Sequence, residues 1–284
     1  MIDPEQGKTW FSEIATTYTS KQRKNWYSEV ADAYNRVRPR YPKELICRAV
    51  ELAQLPADAT ILELGCGPGI ATVEFAQLGF SILCLEPSKE LCQLAQQNCT
   101  QYSSVEITNT TFEEWKLDPK RFSAVVAATS IHWIPPEIRY SKAAASLQES
   151  SYLILLWNMT PQPNREVYQV LAPVYQTQAP SLAQFYEDKK TQEETVRKFG
   201  QAVIDSGKFK NLVSEQLACK LTYSIDDYLA LLGTLSPYRR LNPNKRNSVF
   251  EGLREALDRN GIRSIETSYL SAFHVAQKSS PSES

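Results

Sequence analysis

The sequence predicts an α/β fold built on a doubly wound, mostly parallel sheet of seven strands. Short apolar runs alternate with helix-compatible segments through the middle of the chain, and this alternation is typical of parallel strands joined by right-handed crossovers. The run 124–128 is apolar throughout, as expected of a strand covered by helices on both faces. Three glycines follow the first apolar run directly, at the point where open α/β sheets bind their ligands.

Each element is predicted from its own local pattern. Apolar and β-branched runs predict the strands 60–64, 81–85, 105–110, 124–128, 152–157, 215–221 and 265–276. Helical patterns cover 70–78, 89–98, 138–147, 225–232 and 244–260. Ser88 is the expected N-cap of the second of these helices, because its hydroxyl can accept a hydrogen bond from a free N–H of the first turn.

Two segments fall outside the alternation and divide the chain. Residues 1–45, rich in aromatic side chains, are predicted to form a helical arm that covers the ligand site, and residues 46–157 to form the binding core. Residues 158–210 read as a helical cap inserted in the sheet domain, and residues 211–277 as the remainder of that domain. The polar residues 278–284 are expected to be a disordered tail.

The composition of the chain limits which binding partners and which cellular location are expected. The 284 residues carry a formal net charge of −1 with 42% hydrophobic and 22% charged residues, so neither nucleic acid nor a membrane is an expected partner. No apolar run is long enough to span a bilayer, and no signal peptide is visible. The six cysteines form no C-x-x-C pair, which indicates free thiols in a cytoplasmic protein and no metal site. We expect a monomer or a weak homodimer.

The glycine run indicates the ligand. In Thr60-Ile-Leu-Glu-Leu-Gly-Cys-Gly-Pro-Gly69, Glu63 precedes Gly65 and Gly67, and Glu86 ends the next predicted strand. That spacing of about 20 residues suits a carboxylate that binds ribose hydroxyls. A dinucleotide fingerprint would read G-x-G-x-x-G, and Glu63 would repel a pyrophosphate but favour a cation. S-adenosylmethionine, with a ribose, a positive sulfur and no phosphate, fits better than NAD.

The same motif resembles that of a known family. The run from Glu63 to Gly69 resembles the glycine motif of class I S-adenosylmethionine-dependent methyltransferases. Residues 122–134 resemble the fourth strand and following loop of the trans-aconitate methyltransferase-like branch, within the methyltransferase type 11 group. Tyr34 and the run Arg38-Pro-Arg-Tyr-Pro42 resemble the N-terminal segment of that branch. The resemblance runs from about residue 30 to about residue 157, and it implies a Rossmann-like sheet with an antiparallel last strand.

The resemblance and the motif together give a set of candidate cofactor residues. These are Glu63, Gly65, Cys66, Gly67, Glu86, Pro87, Phe112, Glu113, Ala128, Tyr34 and Arg38. Pro87 would flank the adenine, and the family places residues such as Phe112 and Glu113 beside that ring, although Phe112 also fits ordinary core packing. Arg38 can be a solvated arginine or a clamp for the methionine carboxylate of the cofactor, since a guanidinium binds a carboxylate in bidentate fashion.

Further candidates concern catalysis and the acceptor. His132 is predicted to be the catalytic residue, either as a general base or through a structural hydrogen bond close to the transferred methyl. Trp133 is expected to wall the substrate pocket, and Tyr18 to close over it. Tyr238 and Arg239 lie in a predicted loop and would favour an acid, while a solvated basic turn is the simpler alternative.

The predicted function is methyl transfer from S-adenosylmethionine to a small molecule, by O-methylation of a carboxylic acid like trans-aconitate. Three alternatives stay open at this point: a C- or N-methyltransferase of another metabolite, an NAD-dependent oxidoreductase on the same sheet, and a non-catalytic module that binds the cofactor. Fold alone does not choose among them, because function belongs to the site.

Overall fold

A computed structural model describes residues 27–280 of the chain. The expectation for Tyr18, like every other for residues 1–26, lies outside the described residues, and so does most of the predicted tail.

The described residues form alternating strands and helices. The strands are β1 Thr60–Leu64, β2 Ser81–Leu85, β3 Val105–Thr108, β4 Phe122–Ala128, β5 Leu147–Asn158, β6 Gln162–Pro163, β7 Phe209–Ser224 and β8 Ser264–Lys278. The α-helices are α1 Ala31–Val37, α2 Lys43–Leu52, α3 Ile70–Gln77, α4 Lys89–Asn98, α5 Pro136–Ser146, α6 Arg165–Gln178, α7 Pro180–Ala183, α8 Lys189–Asp205, α9 Ile225–Gly233, α10 Ser236–Arg239 and α11 Pro243–Arg259. A short 3₁₀ helix, Ile131–Trp133, follows β4.

The strands form one mostly parallel sheet. Their order is β3-β2-β1-β4-β5-β8-β6, and β7 pairs with β8. The strands β1 to β5 pair in parallel, whereas β8 runs antiparallel to β5, β6 and β7. The predicted α/β fold and its antiparallel last strand are confirmed. The strand beyond the predicted seven, β6, has two residues, and it pairs with Ser268 and Thr267 beyond the end of the β5–β8 ladder.

The β7–β8 hairpin is longer than its pattern predicts. The two strands pair from Phe209 opposite Lys278 to Ser224 opposite Ser264. Most of β7 is exposed, so its polar ends carry no apolar signal that would mark them as strand. Lys278, the first residue of the predicted tail, is the last residue of β8, and its ammonium donates to the carbonyl of Leu147 at 2.9 Å.

Helices cover both faces of the sheet. Ile61 and Leu62 are neighbours in β1 and point to opposite faces, yet both are fully buried. Two apolar clusters lie on these two faces, one around Ile61 and one around Leu62. A third apolar cluster joins α6, α9 and α11 to one end of the β7–β8 hairpin, with Leu171, Leu231 and Leu253 fully buried in it. The segment 158–210 is largely helical in α6, α7 and α8, and α8 packs against β8. Among the helices that the structure describes, none has the length and apolar character needed to cross a bilayer.

Candidate cofactor site

The glycine loop connects β1 to α3. Gly65, Gly67 and Gly69 have φ of 66°, 58° and 84°, a left-handed region that side chains other than glycine rarely adopt. A Cβ on Gly65 would lie 2.9 Å from the Cβ of Ser130, so this position also needs glycine for space. A Cβ on Gly67 would meet nothing within 4 Å, which leaves room above the loop for a ligand.

Glu86 ties the glycine loop to the start of α4. Its Oε2 accepts from the N–H of Gly67 at 2.9 Å, and its Oε1 accepts from the N–H of Ser88 at 2.8 Å. Ser88 caps α4 as predicted, since its hydroxyl accepts from the N–H of Leu91. These two hydrogen bonds fix the Glu86 carboxylate between the glycine loop and the first turn of α4.

Glu63 lies beneath the loop, and its side chain does not line the cavity above it. Its Oε2 accepts from the hydroxyl of Thr72 at 2.7 Å and from the thiol of Cys84 at 3.7 Å. Its Oε1 is buried with no partner among the described residues. Burial raises the pKa of Glu63 to about 7, because a charged carboxylate is disfavoured away from water. In this structure Glu63 thus contacts α3 through Thr72 and β2 through Cys84, and its predicted contact with the cofactor stays a prediction.

A cavity opens between the glycine loop and the segment that follows α1. Six of the predicted cofactor residues line it, namely Tyr34, Arg38, Gly65, Cys66, Gly67 and Ala128. The remaining lining residues are Pro39, Tyr41, Pro68, Ile70, Ala71, Thr129, Asn158 and Met159. The cavity measures about 40 Å³, well below the roughly 300–1,000 Å³ of typical ligand pockets.

Arg38 is held at the rim of this cavity. Its Nε and Nη2 donate to the hydroxyl and the carbonyl of Thr234 at 2.8 and 2.9 Å. Its guanidinium carbon lies 4.7 Å from the centre of the Tyr34 ring, a distance typical of a cation–π contact. These contacts fix the side chain of Arg38 without neutralising its charge, so it remains able to bind an anionic group.

Thr129, Tyr41 and Asn158 also line this cavity, although the sequence analysis did not select them as cofactor residues. Thr129, directly after β4, has a φ of 53°, which is unusual for a β-branched residue. Its hydroxyl bonds with the hydroxyl of Tyr41 at 2.8 Å and accepts from the N–H of Asn158 at 3.2 Å. Asn158 ends β5 and follows an apolar run, so the rule that singled out Glu86 at a strand end would have found it.

His132 and Trp133 lie in the 3₁₀ helix after β4 and do not line the cavity. The His132 ring is buried, with the rings of Trp133 and Trp157 at 5.0 and 5.9 Å. Trp133 meets Tyr27 edge to face at 5.6 Å, and Tyr27 meets Tyr34 at 5.8 Å. A continuous aromatic chain thus connects His132 to the N-terminal segment.

The candidate adenine residues follow β2 and β3. Phe112 is buried in the core and stacks on Trp115 at 6.1 Å, which supports the packing interpretation of this residue. The ammonium of Lys142 donates to the carbonyls of Phe112, Glu113 and Trp115 and so holds the loop in place. The carbonyl of Pro87, on the opposite loop, accepts from Asn109 at 3.0 Å.

Tyr238 and Arg239 lie away from the cofactor cavity. The predicted loop at Ser236–Arg239 is the short helix α10, which begins with Pro237 in its first turn. The hydroxyl of Tyr238 bonds with that of Tyr175 at 2.8 Å inside the third apolar cluster. Arg239 is buried and forms an ion pair with Glu29. Tyr238 is therefore a packing residue, and Arg239 lines a different cavity.

Part of this chain is similar in sequence to known proteins. Residues 61–149 match the model of a methyltransferase domain family. An uncharacterized methyltransferase of Mycobacterium tuberculosis is 30% identical over 125 residues, which cover 44% of this chain and 49% of that protein. A protein-L-isoaspartate O-methyltransferase of Photorhabdus laumondii is 30% identical over 96 residues, covering 33% of this chain and 46% of that protein. This chain thus matches about half the length of each relative.

Solved structures share the fold over a longer stretch. A protein from Anaeromyxobacter dehalogenans, assigned as a type II methyltransferase, superposes with a TM-score of 0.59 at 21% identity. The match covers 84% of this chain and 97% of that one. The sheet described above therefore has the fold of that structure, and residues 61–149 match a methyltransferase domain.

The cofactor of such a domain is S-adenosylmethionine, and the residues of this chain fit it. The open space over Gly67 leaves room for a ligand against bare backbone, Arg38 lines the cavity, and Glu86 lies behind the loop, where it accepts from the N–H of Gly67. The sequence-based choice of cofactor is confirmed. Across residues 27–280, no group of three or more His, Cys, Asp or Glu residues is arranged to hold a metal ion.

Proposed function

We propose that the protein transfers a methyl group from S-adenosylmethionine to a small molecule, and that the acceptor is a carboxylic acid of the trans-aconitate kind. The observation that carries the proposal is the cavity between the positive-φ glycine loop and the Tyr34–Arg38 segment. When bound, the cofactor supplies an electrophilic methyl on a positively charged sulfur. An acid is favoured as acceptor because an ionised carboxylate can attack that methyl in line with no proton to lose.

The residues of the site take separate tasks in this proposal. Glu86 binds the ribose hydroxyls, and Arg38 holds the methionine carboxylate through its planar guanidinium. Glu63 supports the loop from below. Pro87 and Glu113 flank the adenine, on the two loops that Asn109 and Lys142 fix. Each task restricts the orientation of the reacting methyl, and orientation supplies much of the rate in such displacements.

The N-terminal arm acts as a lid. The cavity of about 40 Å³ is too small for the whole cofactor, so binding requires the Tyr34–Arg38 segment to move away from the glycine loop. Tyr27 and Ser28 precede α1 in the same N-terminal segment. The hydroxyl of Ser28 lies 2.9 Å from that of Ser88. Closure after binding would exclude water from the reacting centre. The cap 158–210 would complete the enclosure around the acceptor, with Trp133 on its inner wall.

An assay with radiolabelled cofactor tests the reaction class. Full-length protein is incubated with methyl-labelled S-adenosylmethionine and a panel of small di- and tricarboxylic acids that includes trans-aconitate. We expect label in an ester that mild alkali releases as methanol, whereas methyl groups on nitrogen or carbon would resist alkali. Label that resists alkali would overturn the acid proposal and keep the methyltransferase.

Two variants make this assay specific. Glu86→Gln should weaken cofactor binding by about tenfold or more, because it removes a charge that accepts several hydrogen bonds. Glu106→Gln, at an exposed position on β3, is the matched control and should behave as the parent protein.

A thermal-shift comparison of S-adenosylhomocysteine with NAD addresses the oxidoreductase alternative, since a ligand that binds the folded state raises the melting temperature. Stabilisation by NAD alone would reject the proposal.

His132 stays the candidate catalytic residue, and its role can be separated by pH. A carboxylate acceptor needs no general base, so we expect His132→Asn to lower kcat by less than about tenfold with an unchanged pH profile. A loss of about 100-fold or more, together with loss of the alkaline-rising limb, would assign proton abstraction to His132 and would argue for a hydroxyl or amine acceptor.

A further inference from the structure

A second cavity lies apart from the glycine loop, between α1, α9 and α11. It measures about 340 Å³, against about 40 Å³ for the cofactor cavity, and the two share no lining residue. Its volume falls in the range of small-molecule sites, roughly 300–1,000 Å³.

The wall of this cavity is mostly apolar. Ala33 contributes from α1, Leu229 and Ala230 from α9, and Phe250 from α11. Gly233 ends α9 beside Phe250, where an added Cβ would lie 3.6 Å from the ring. An apolar wall of this kind favours a ligand with a hydrocarbon body, because burying that body removes it from water.

The charged part of the lining consists of three arginines and one glutamate, Glu251. Arg254 forms an ion pair with Asp226 outside the cavity. Arg239 has a side chain only 5% exposed and is paired through Nη2 with the exposed Glu29. Its buried Nε has no hydrogen-bond partner in the part of the chain that the structure describes.

Arg246 differs from the other two arginines. Its side chain makes no hydrogen bond or ion pair with any residue between 27 and 280. Burial lowers the pKa of Arg246 and the like charge of Arg239 lowers it further, against the smaller opposing effect of the Glu29 carboxylate. Two neighbouring guanidinium groups that lack a full set of acceptors would gain from an anion placed between them.

We propose that this cavity binds a small organic acid, with its carboxylate on Arg239 and Arg246 and its apolar body against Leu229 and Phe250. Nearby guanidinium groups can bind one carboxylate through several parallel N–H···O bonds. The site is separate from methyl transfer, because the cofactor cavity contributes no residue to it. Glu251 would repel an acid with a second carboxylate near its own, so a monocarboxylate is the preferred class.

Isothermal titration calorimetry on the full chain tests the site. The probe acids are benzoate and hexanoate, and saturating S-adenosylhomocysteine is present so that the cofactor site is filled. We expect one-to-one binding of at least one acid, with benzamide, the neutral counterpart of benzoate, at least about tenfold weaker. Absence of heat with both acids, or equal binding of benzamide, would overturn the proposal.

Matched variants locate the binding. Arg246→Gln should weaken the acid by about tenfold, whereas Arg259→Gln should leave it unchanged, because Arg259 is exposed on the same helix and lies outside the cavity. Ala230→Phe fills the cavity and should abolish binding without removing a charge. Acid binding that survives both Arg246→Gln and Ala230→Phe would place the acid elsewhere, including at the acceptor site, and would reject the inference.

Discussion

The two cavities of this protein are built in different ways. One side of the cofactor cavity is main chain, since three positive-φ glycines and the N–H groups from which Glu86 accepts set the shape of the loop within about 25 residues of sequence. Residues between Tyr34 and Met159 complete the wall. The wall between α1, α9 and α11 consists of side chains from segments that lie about 200 residues apart. A site of the first kind fails when the backbone changes, whereas a site of the second kind tolerates backbone strain and responds to the charge and volume of single side chains.

Replacing Gly65 by alanine should give the largest effect. It tests whether cofactor binding depends on the backbone conformation of the glycine loop. The new Cβ would lie 2.9 Å from Ser130 at a φ of 66°, and the strain alone costs about 1–3 kcal/mol. The loop must shift to relieve it, so we expect affinity for S-adenosylhomocysteine to fall by well over tenfold in calorimetry.

Gly79→Ala is the control for this prediction. Gly79 has a φ of 92°, but an added Cβ would meet nothing within 4 Å. We expect a similar loss of stability in urea unfolding with unchanged cofactor affinity. If both variants bound the cofactor as the parent protein does, the glycine loop would not be a constraint on the site.

Glu63→Gln tests whether the buried carboxyl beneath the loop is a cost to stability. Burial raises the pKa of Glu63 from about 4.5 to about 7, so the folded state binds the proton more tightly than the unfolded state. The free energy of unfolding should therefore fall as pH rises from about 4.5 to about 7 and then level off. The variant should lack this fall, and its stability relative to the parent should improve between pH 5 and pH 8 by on the order of 2–3 kcal/mol.

Urea unfolding at the two pH values measures this difference. Glu106→Gln, on the exposed side of β3, should show the same offset from the parent at both pH values. A Glu63→Gln offset that did not change with pH would mean that the carboxyl is ionised in the folded protein throughout, and that the space beneath the loop is better solvated than its burial indicates.

Tyr238→Phe should give the smallest effect. It tests whether this buried side chain acts in packing or in acceptor binding. It removes one partner of the buried hydrogen bond with Tyr175, which should cost about 1–3 kcal/mol of stability through the unsatisfied hydroxyl. The double variant with Tyr175→Phe should recover part of that loss. Methyl transfer should be unchanged in both variants. A rise in KM for the acceptor with unchanged stability would instead show that Tyr238 contributes to the substrate pocket.

Much of the fold could be predicted from local sequence patterns. The bounds of β1, β2 and α4 follow from an apolar run, a flanking glycine or the Ser88 cap, because each signal lies within a few residues of the element it sets. The ends of β7 and β8 could not be found in this way. They are strand because each is the other's hydrogen-bonding partner, and a partner 40 to 69 residues away leaves no mark on the local pattern.

The same limit applies to the site. The proximity of Gly67 and Glu86 could be predicted because the glycine motif and the end of the next parallel strand lie at the same edge of the sheet. Thr129 was missed because nothing in its local sequence marks its positive φ, and its bonds to Tyr41 and Asn158 join segments distant in the chain.

The sequence by itself determined the sheet, the glycine loop and the choice of S-adenosylmethionine, because backbone conformation and strand periodicity are local properties. Only the tertiary structure decided that Glu63 lies under the loop rather than in the cavity, that Tyr238 packs in the core, and that Arg239 meets Arg246 at a second cavity. Those outcomes depend on which helices pack together, and packing is a property of the whole chain.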